Sequence, residues 1–468
     1  MEKNSGRTKK YTALFITAFA SFITPFLGSS INVALPQIGR HFQMDAVTLS
    51  WVTTVYLLAS AVFLVPFGKM ADLYGRRKVF TIGVSIVSFT SLLAAFAPNT
   101  TGFILLRVLQ GVGSAMIFGT GIAIITSVFP KQERGKAMGI NVAAVYVGLT
   151  MGPFAGGVLT SNLGWQSIFL AIFPLGMLVV LLTLFKLKQE WAEARGEQFD
   201  WKGSLLYGIS LTLFMYGLSQ LPDWHGFIFI GAGLAGIWIF ALFELRIHYP
   251  VFNMNLLLKN RKFAFASISA LINYSATFGV SFLMSLYMQY VKGMNAQGAG
   301  EVLMIQPVVM ALFSPVAGKI SDRVDPGIVA TLGLIFLTIG LSVFITLDAN
   351  SSVVFIGAIL AFFGLGYALF SSPNTNAMMS AVDRKYYGIA SGTVGTMRLV
   401  GQLISMGTVM MIFSLLIGQV EISEENQLQF IDSAHIAFIV FTLFGVLGIL
   451  LSAFRIDRQK LQILKRNY

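Results

Sequence analysis

Apolar residues occur along this chain in fourteen runs of roughly 20 residues, and charged residues fall mostly between them. An α-helix rises about 1.5 Å per residue, so each run can cross or nearly cross about 30 Å of hydrocarbon. The pattern predicts an all-α integral membrane protein with fourteen transmembrane helices. The predicted spans are 11–35, 48–67, 79–97, 102–127, 137–160, 164–185, 203–220, 226–245, 263–290, 299–318, 327–347, 353–372, 387–418 and 433–454.

Composition and charge support this assignment. Of the 468 residues, 56% are hydrophobic and only 11% are charged, which is typical of a chain dissolved in lipid. All but four of the 32 lysines and arginines lie in the two terminal tails or in every second loop. By the positive-inside rule both termini are predicted to be cytoplasmic. The net charge of +12 belongs to that face, so a nucleic-acid partner is not expected.

The chain lacks the residues that several kinds of catalytic, metal and nucleotide-binding site require. The chain has no cysteine and only four scattered histidines, so no disulfide, thiolate or multi-histidine metal site is expected. It contains no Gly-x-Ser-x-Gly elbow and no nucleotide-binding Gly-x-x-x-x-Gly-Lys loop. An enzyme and a bound cofactor are therefore not predicted. The basic tail 1–10 leads into an apolar run without a cleavage pattern, which indicates a retained first span.

An internal repeat divides the chain. Segment 68–78, between predicted spans 2 and 3, resembles segment 318–326, which lies 250 residues later between spans 10 and 11. The repeat predicts a six-span half (1–185), a linker with two inserted spans (186–262), and a second six-span half with a tail (263–468). Parallel halves place a substrate path between them near the bilayer midplane. The mixed-charge stretch 186–202 is predicted to be an ordinary solvated loop.

Three segments contain candidate functional residues. In the first, Gly68 and Gly75 permit a tight turn that brings Asp72, Arg76 and Arg77 together as a gate, the alternative being simple anchoring at the cytoplasmic face. The second has Arg107 beside Gln110 inside span 4, where an arginine needs a partner unless it reaches the interface. The third places Gly148, Gly152, Pro153, Gly156 and Gly157 in span 5, as a close-packing seam or a functional bend.

Together, these motifs and their order resemble the major facilitator superfamily, and within it the fourteen-span drug:proton antiporters. Segment 68–78 is similar to the signature between spans 2 and 3, 107–115 to the span 4 motif, and 148–157 to the antiporter motif of span 5. Further similar stretches are 32–36, 51–58 and 165–169. The family commonly carries an aspartate where this chain has Leu27, so the resemblance does not imply a cation site there.

The resemblance implies proton-driven efflux of hydrophobic or amphiphilic small molecules by alternating access, in a protein of the cell membrane expected to be monomeric. A dedicated exporter or importer of one metabolite or lipid is the alternative, and a channel is a third possibility. No predicted span has an acidic residue near its centre, so Asp72 and Glu301 are the proton-coupling candidates. Candidate cavity residues, chosen as polar groups within spans, are Asn32, Tyr56, Asn273, Tyr274, Gln306, Asn374 and Arg398.

Overall fold

The computed structural model describes residues 2–130, 133–194, 196–247, 250–252, 254–382, 387–423 and 425–454. All regular secondary structure in these ranges is helical. The basic pair at 384–385 and the tail 455–468, which entered the predicted topology, lie outside them. The helices are α1 (Glu2–Phe42), α2 (Ala46–Tyr74), α3 (Arg76–Ala94), α4 (Thr100–Val128), α5 (Arg134–Leu163), α6 (Gln166–Lys186), α7 (Trp201–Ser219), α8 (Trp224–Glu244), α9 (Met254–Lys259), α10 (Arg261–Leu286), α11 (Ala296–Leu303), α12 (Ile305–Arg323), α13 (Pro326–Phe344), α14 (Val353–Ser380), α15 (Tyr387–Leu416) and α16 (Gln427–Ala453).

Thirteen stretches within the described residues are long and apolar enough to cross a membrane. The predicted span 203–220 corresponds to α7, a helix of 19 residues that is not one of the thirteen. A count of fourteen therefore remains a prediction. Two spans are interrupted helices: α10 continues as a π-helical turn, Tyr287–Val291, and α11 and α12 form one span, Ala296–Arg323.

Short polar side chains set many of the helix starts. A helix leaves its first N–H groups without intrahelical acceptors, and Asp, Asn or Ser before the first turn can accept from them. Asp45 accepts from the Thr48 N–H at 2.8 Å, and Asn99 accepts from the Gly102 N–H at 2.8 Å. At the other end of α2, Gly75 has a φ of +122°, which a side chain would strain.

The helices form two groups. The first group, α1–α6, is built on the pairs α1 with α5, α2 with α4, and α3 with both α4 and α6. The second group, α10–α16, is built on the pairs α13 with α14, α12 with α14, α10 with α15, and α13 with α16. We use "basic face" for the end of the bundle that carries the α2–α3, α4–α5 and α6–α7 connections, and "opposite face" for the other end.

Two seams join the groups: α2 packs on α15, and α5 packs on α11 and α12. Four hydrogen bonds close the bundle at the opposite face. They are Ala46 N–H to Val420 O (3.0 Å), Ser285 Oγ to Asn32 O (2.6 Å), Gln289 Nε2 to Val33 O (2.9 Å) and Gln297 N–H to Ser161 Oγ (2.9 Å). Each of the four bonds uses at least one backbone group, so the two groups are held together closely at that end.

The inserted helices α7 and α8 pack on each other beside the first seam. α7 contacts both α2 and α15. A Cβ on Gly208 of α7 would lie 2.9 Å from Val62 Cγ1 of α2. A Cβ on Gly407 of α15 would lie 2.6 Å from Leu218 Cδ1 of α7. The inserted pair therefore touches both groups rather than extending one of them.

Candidate functional site

Arg76 is the centre of a polar cluster at the basic face. Its guanidinium is largely buried and binds Asp72 Oδ1 through Nε at 2.8 Å. Nη1 and Nη2 donate to the two carboxylate oxygens of Glu193 at 2.9 and 3.0 Å, and Nη1 also donates to Ser127 Oγ at 2.6 Å. A fork-shaped pair of this kind fixes direction as well as distance. The cluster joins α2, α3, α4 and the α6–α7 linker.

The α6–α7 linker is therefore not the ordinary solvated loop that its mixed charge suggested. It forms backbone bonds on both sides of the turn between α2 and α3: the Arg76 N–H donates to Trp191 O at 2.8 Å, and the Ala194 N–H donates to Asp72 O at 3.0 Å. Glu190 accepts from the Arg77 N–H at 2.8 Å, and Glu197 pairs with Lys69. Acidic residues at 190, 193 and 197 thus contact the basic turn between α2 and α3. In the sequence, this contact is indicated by the opposite charges of the two segments at matching spacing.

The other predicted gate residues take different places. Gly75 lies directly over the Glu190 carboxyl, where a Cβ would come within 2.5 Å of Cδ. The Arg77 side chain turns away from Asp72 and donates to Leu184 O at 3.3 Å. Gly68 lies within α2 and not at the turn, so its predicted role in the turn is wrong. It is Gly119 that lets α4 approach α2 here: a Cβ on Gly119 would lie 3.3 Å from the Gly68 nitrogen, whereas a Cβ on Gly68 would meet no atom within 4 Å. Asp72 and Arg76 meet as predicted, whereas Arg77 joins the cluster only through its backbone.

Arg107 is almost wholly buried, with 1% of its surface exposed. Its Nε donates to Val52 O at 3.0 Å and its Nη1 donates to Gln110 Oε1 at 2.7 Å; Gln110 in turn donates to Ser91 Oγ at 3.1 Å. Its Cζ lies 4.6 Å from the centroid of the Tyr56 ring. Arg107 does not extend to the interface. Its partners are neutral, and among the described residues no acidic side chain forms an ion pair with it.

The span 5 motif packs against α1. A Cβ on Gly148 would lie 2.5 Å from Phe22 O, and one on Gly156 would lie 2.8 Å from Ser30 Cα. Ser30 Oγ uses the space by donating to Gly152 O at 3.0 Å. Small residues four apart are the usual means of bringing two helix backbones together in lipid. Three of the five motif residues thus form a seam inside the first group.

The other two motif residues face the second group. A Cβ on Gly157 would lie 2.6 Å from Ala296 O, and the same contact from the other side places Gly300 against Pro153 O. The backbones of α5 and α11 therefore touch here. α5 links the two groups through one face while its other face holds α1.

A second arginine lies between the groups. Arg398 of α15, in the second group, has its Cζ 5.3 Å from the ring centroid of Phe118 on α4, in the first. It also interacts electrostatically with three tyrosine hydroxyls, two from the first group and one from the second: Tyr56, Tyr146 and Tyr367. Tyr146 reaches across as well, with its hydroxyl 3.4 Å from Ser371 Oγ.

No carboxylate balances this charge in the part of the chain that is described, where the ion pairs all lie at the basic face. The Arg398 Nε is buried without a hydrogen-bond partner. Tyr56 is within electrostatic range of both arginines, and its ring centroid lies 4.6 Å from Arg107 Cζ. Arg398 and Tyr56 were predicted from the sequence. Tyr146, Tyr367 and Phe118 were not, because aromatic residues inside spans have the same sequence pattern whether they face lipid or a cavity.

The remaining candidate cavity residues are dispersed around this centre. Asn32 Oδ1 accepts from Thr53 Oγ1 at 3.4 Å, and Asn374 Nδ2 donates to Ala266 O at 3.1 Å. Tyr274 contacts the Tyr367 ring, with centroids 6.5 Å apart, and Gln306 is partly buried. Asn273 is 1% exposed, and both its side-chain oxygen and nitrogen are buried without partners. Its amide has hydrogen-bonding capacity that the described residues leave unused.

Glu301, the second predicted coupling residue, is exposed on α11 at the opposite face. Its carboxylate accepts from Gln297 Nε2 at 3.0 Å. It is not among the groups that contact Arg107 or Arg398. Within the described ranges, no group of three or more histidine, cysteine, aspartate or glutamate residues could hold a metal ion.

Comparison with known proteins agrees with this architecture. The sequence profile described as Major Facilitator Superfamily matches residues 17–406. The riboflavin transporter RibZ of Clostridioides difficile is 30% identical over 83% of this chain and 85% of its own length. The multidrug resistance protein Stp of Mycobacterium tuberculosis is 31% identical over 85% of this chain and 74% of its own. The tetracenomycin C resistance and export protein of Streptomyces glaucescens is 26% identical over 86% and 75%.

A solved structure shares the fold. It is a bacterial homologue of the human lysosomal transporter Spinster, in an inward-facing, unoccupied conformation. It superposes with a TM-score of 0.70 over 96% of this chain and 97% of its own, at 15% identity. The family match covers most of the chain, the relatives are transporters, and the helical bundle is that of a transporter rather than an enzyme. This chain is a multi-pass membrane transporter that belongs to the Major Facilitator Superfamily.

Proposed function

We propose that this protein is a proton-driven exporter of hydrophobic or amphiphilic small molecules, working by alternating access as a member of the fourteen-span drug:proton antiporters. The span 5 motif and the names of two relatives, a multidrug resistance protein and a resistance and export protein, support export. The observation that carries the proposal is Arg398, a cation of the second group that lies 5.3 Å from the ring of Phe118 in the first group and within electrostatic range of Tyr146 and Tyr367.

We call the region around Arg398, between the two groups, the substrate space, and we infer the substrate class from the charges there. An arginine inside a membrane-spanning region is costly, by about 2.5–3.5 kcal/mol on insertion scales, and marks a functional site. Arg107 and Arg398 supply two positive charges, and Tyr56, Tyr146 and Tyr367 supply hydroxyls and flat rings. We propose that substrates are planar amphiphiles that are neutral or anionic, because such molecules can stack on the rings and partly balance the arginines. Cationic drugs fit this space poorly.

The two seams between the groups support the proposal of alternating access, because the groups could move about them. In this structure four hydrogen bonds hold the opposite face closed, so we take this to be the state in which the substrate space communicates with the basic face. By the positive-inside rule the basic face is cytoplasmic, with both termini on that side of the cell membrane. We propose that two halves, residues 1–185 with helices α1–α6 and residues 263–468 with helices α10–α16, rock about the seams. We also propose that the protein works as a monomer.

Protonation is proposed to release the gate. Asp72 is the candidate carboxyl, because neutralising it removes one of the two acids that hold Arg76. Glu301 is the other candidate, at the face that must open to exchange with the outside. Substrate-coupled proton flux in proteoliposomes tests both: neither group couples the proton if Asp72→Asn and Glu301→Gln leave it unchanged.

The test of transport itself uses purified protein in liposomes with an imposed pH gradient. Two fluorescent amphiphiles of similar size, one anionic and one cationic, are followed with wild type and Arg398→Gln. Gradient-driven movement of the anionic dye, reduced in the variant, supports the proposal. Movement of neither dye with wild type, or equal movement of the anionic dye with Arg398→Gln, contradicts it.

A dedicated transporter of one metabolite is the second candidate. The observation that favours it is the orphaned amide of Asn273, which together with the arginine and tyrosines suits a planar ring with hydrogen-bonding edges. The relative named as a riboflavin transporter carries such a substrate. Competition of riboflavin against the anionic dye for binding to wild type and Asn273→Ala distinguishes the candidates. Strong competition that the substitution abolishes favours the dedicated transporter.

A further inference from the structure

Two carboxylates face each other at the base of the inserted helix pair, away from every motif of the family. Asp200 precedes α7, and Glu244 ends α8. Glu244 is 1% exposed, although a carboxylate at a helix end on the basic face could reach water. The two carboxyl groups lie close together, next to Gly203. Neither group enters the proposed gate or the substrate space.

Each carboxylate uses one oxygen and leaves the other without a partner. Asp200 Oδ1 accepts from the Gly203 N–H at 2.9 Å, and Glu244 Oε2 accepts from the Phe252 N–H at 2.9 Å. Asp200 Oδ2 and Glu244 Oε1 are both buried without a hydrogen-bond partner. Both unused oxygens lie next to Gly203, whose missing side chain leaves them room: a Cβ there would come within 2.7 Å of Glu244 Oε1 and closer still to Asp200 Oδ2.

No cation compensates the pair among the described residues. The nearest charged groups in sequence, Lys202 and Arg246, are exposed, and neither forms an ion pair with Asp200 or Glu244. Two buried acceptor oxygens that lie this close together repel unless something positive lies between them. One proton held between two carboxyls satisfies both, because like charges so close cannot both remain ionised.

We propose that Asp200 and Glu244 form a proton-binding site in which one proton is shared between the two carboxyl groups. The existence of the site does not depend on the proposed function. Its role does rest on that function, because we propose that the site binds the proton that drives transport. Occupation is reversible because the pair lies at the basic face, directly after residues 196–199, which are exposed or partly exposed.

The position of the pair connects it to the gate. Asp200 lies three residues after Glu197, which pairs with Lys69, and seven after Glu193, which holds Arg76. Loss of the shared proton makes Asp200 and Glu244 repel, and the part of the linker next to Asp200 is the segment that can yield. A change of protonation is thereby transmitted to the turn between α2 and α3.

Infrared spectroscopy of the full-length protein in lipid nanodiscs tests the site without any transport measurement. The C=O stretch of a protonated carboxyl is recorded while the pH is raised from acidic to alkaline. We expect one protonated band to persist after the exposed carboxyls have ionised, and we expect it to be lost in Glu244→Gln. The amide that this substitution introduces can still accept from the Phe252 N–H and can donate to Asp200 Oδ2. The variant is therefore expected to fold, which its elution volume and thermal unfolding check.

Two further variants fix the assignment. Asp200→Asn should also remove the persistent band, because its amide can donate to an ionised Glu244. Glu425→Gln, the same change at an exposed residue, should leave the band in place. A band that survives in both Asp200→Asn and Glu244→Gln overturns the proposal. So does its absence in wild type, or a titration that depends on added Na⁺ or a divalent metal, which would assign the pair to a cation.

The outcome separates this proposal from the proposed function. A persistent band that depends on the pair, in a protein whose dye movement ignores the pH gradient, supports the site and contradicts proton-driven transport. Gradient-driven transport in a protein without such a band supports proton-driven transport and contradicts the site.

Discussion

The guanidinium of Arg76 and the carboxylate of Glu193, 117 residues apart, form a two-point ion pair, with N–O distances of 2.9 and 3.0 Å. This pair ties the α6–α7 linker to the turn that the family signature occupies. Arg76 is largely buried in the pair, whereas the Glu193 side chain is 65% exposed. Water therefore weakens the interaction, and its strength is that of a surface pair rather than a buried one.

Glu193→Gln is expected to loosen the linker without unfolding the protein. The neutral amide keeps at most one of the two bonds, and an exposed pair is worth up to about 1 kcal/mol. Amide hydrogen exchange across residues 187–200 should accelerate by up to about fivefold. Glu425→Gln, an exposed glutamate outside the linker, is the control. Equal exchange in Glu193→Gln and wild type would show that the ion pair does not hold the linker.

Gly156→Ala and Gly139→Ala place the same methyl group on one helix with opposite results. At position 156 it meets Ser30 Cα at 2.8 Å, so α1 must move and the protein should lose about 1–3 kcal/mol of unfolding free energy. At position 139 nothing lies within 4 Å, and alanine is the better helix former by about 0.5–1 kcal/mol. Thermal unfolding in one detergent should lower the melting temperature only for Gly156→Ala. A similar decrease in both variants would argue against the α1–α5 seam.

Tyr56→Phe separates the ring of this residue from its hydroxyl. The ring under Arg107 remains, whereas the 2.8 Å bond from the Tyr56 hydroxyl to Ser114 Oγ and the interaction with Arg398 are lost. We expect a modest loss of stability, about 1 kcal/mol, together with weaker binding of the anionic dye. Tyr56→Leu, which also removes the ring, should cost more. Unfolding and dye titrations measure the two effects separately, and identical behaviour of the two variants would exclude a role for the ring.

Arg398→Gln removes the charge between the groups. Binding of the anionic dye should weaken by about tenfold or more, which corresponds to about 1.4 kcal/mol, and binding of the cationic dye should not weaken. Arg40→Gln removes an exposed arginine at the opposite face and should change neither. Fluorescence titration in nanodiscs provides the affinities. If both dyes lose affinity equally, Arg398 supports the structure rather than selecting charge.

Ser161→Cys with Gln297→Cys tests whether the opposite face must open. The Gln297 N–H lies 2.9 Å from Ser161 Oγ, and the natural chain has no cysteine to compete for the disulfide. Oxidation should link the groups and stop dye transport, and reduction should restore it. Each single-cysteine variant is the control. Unchanged transport in the fully cross-linked protein would contradict alternating access at that face.

The helices could be predicted because apolar length is a strong local signal. The contact between Asp72, near the end of α2, and Arg76, at the start of α3, could also be predicted, because the glycine between them permits a tight turn. The prediction for the linker was wrong because its acids at 190, 193 and 197 acquire meaning only when the basic turn over 100 residues earlier lies beside them. Similarly, Tyr146 and Tyr367 become part of one site only when α5 and α14 approach from different groups. Long-range packing, not local propensity, decides both.

The placement of α7 and α8 has a consequence for how molecules reach the substrate space from the lipid. Of the two seams between the groups, the one along α2 and α15 has α7 packed against both of its helices, whereas in the part of the chain that is described the inserted pair does not pack on the one along α5 and α12. Leu312 and Val316 of α12 are exposed, as expected for side chains that face lipid. A hydrophobic molecule dissolved in the bilayer thus meets an asymmetric protein, with one seam flanked by an extra helix pair and the other without it.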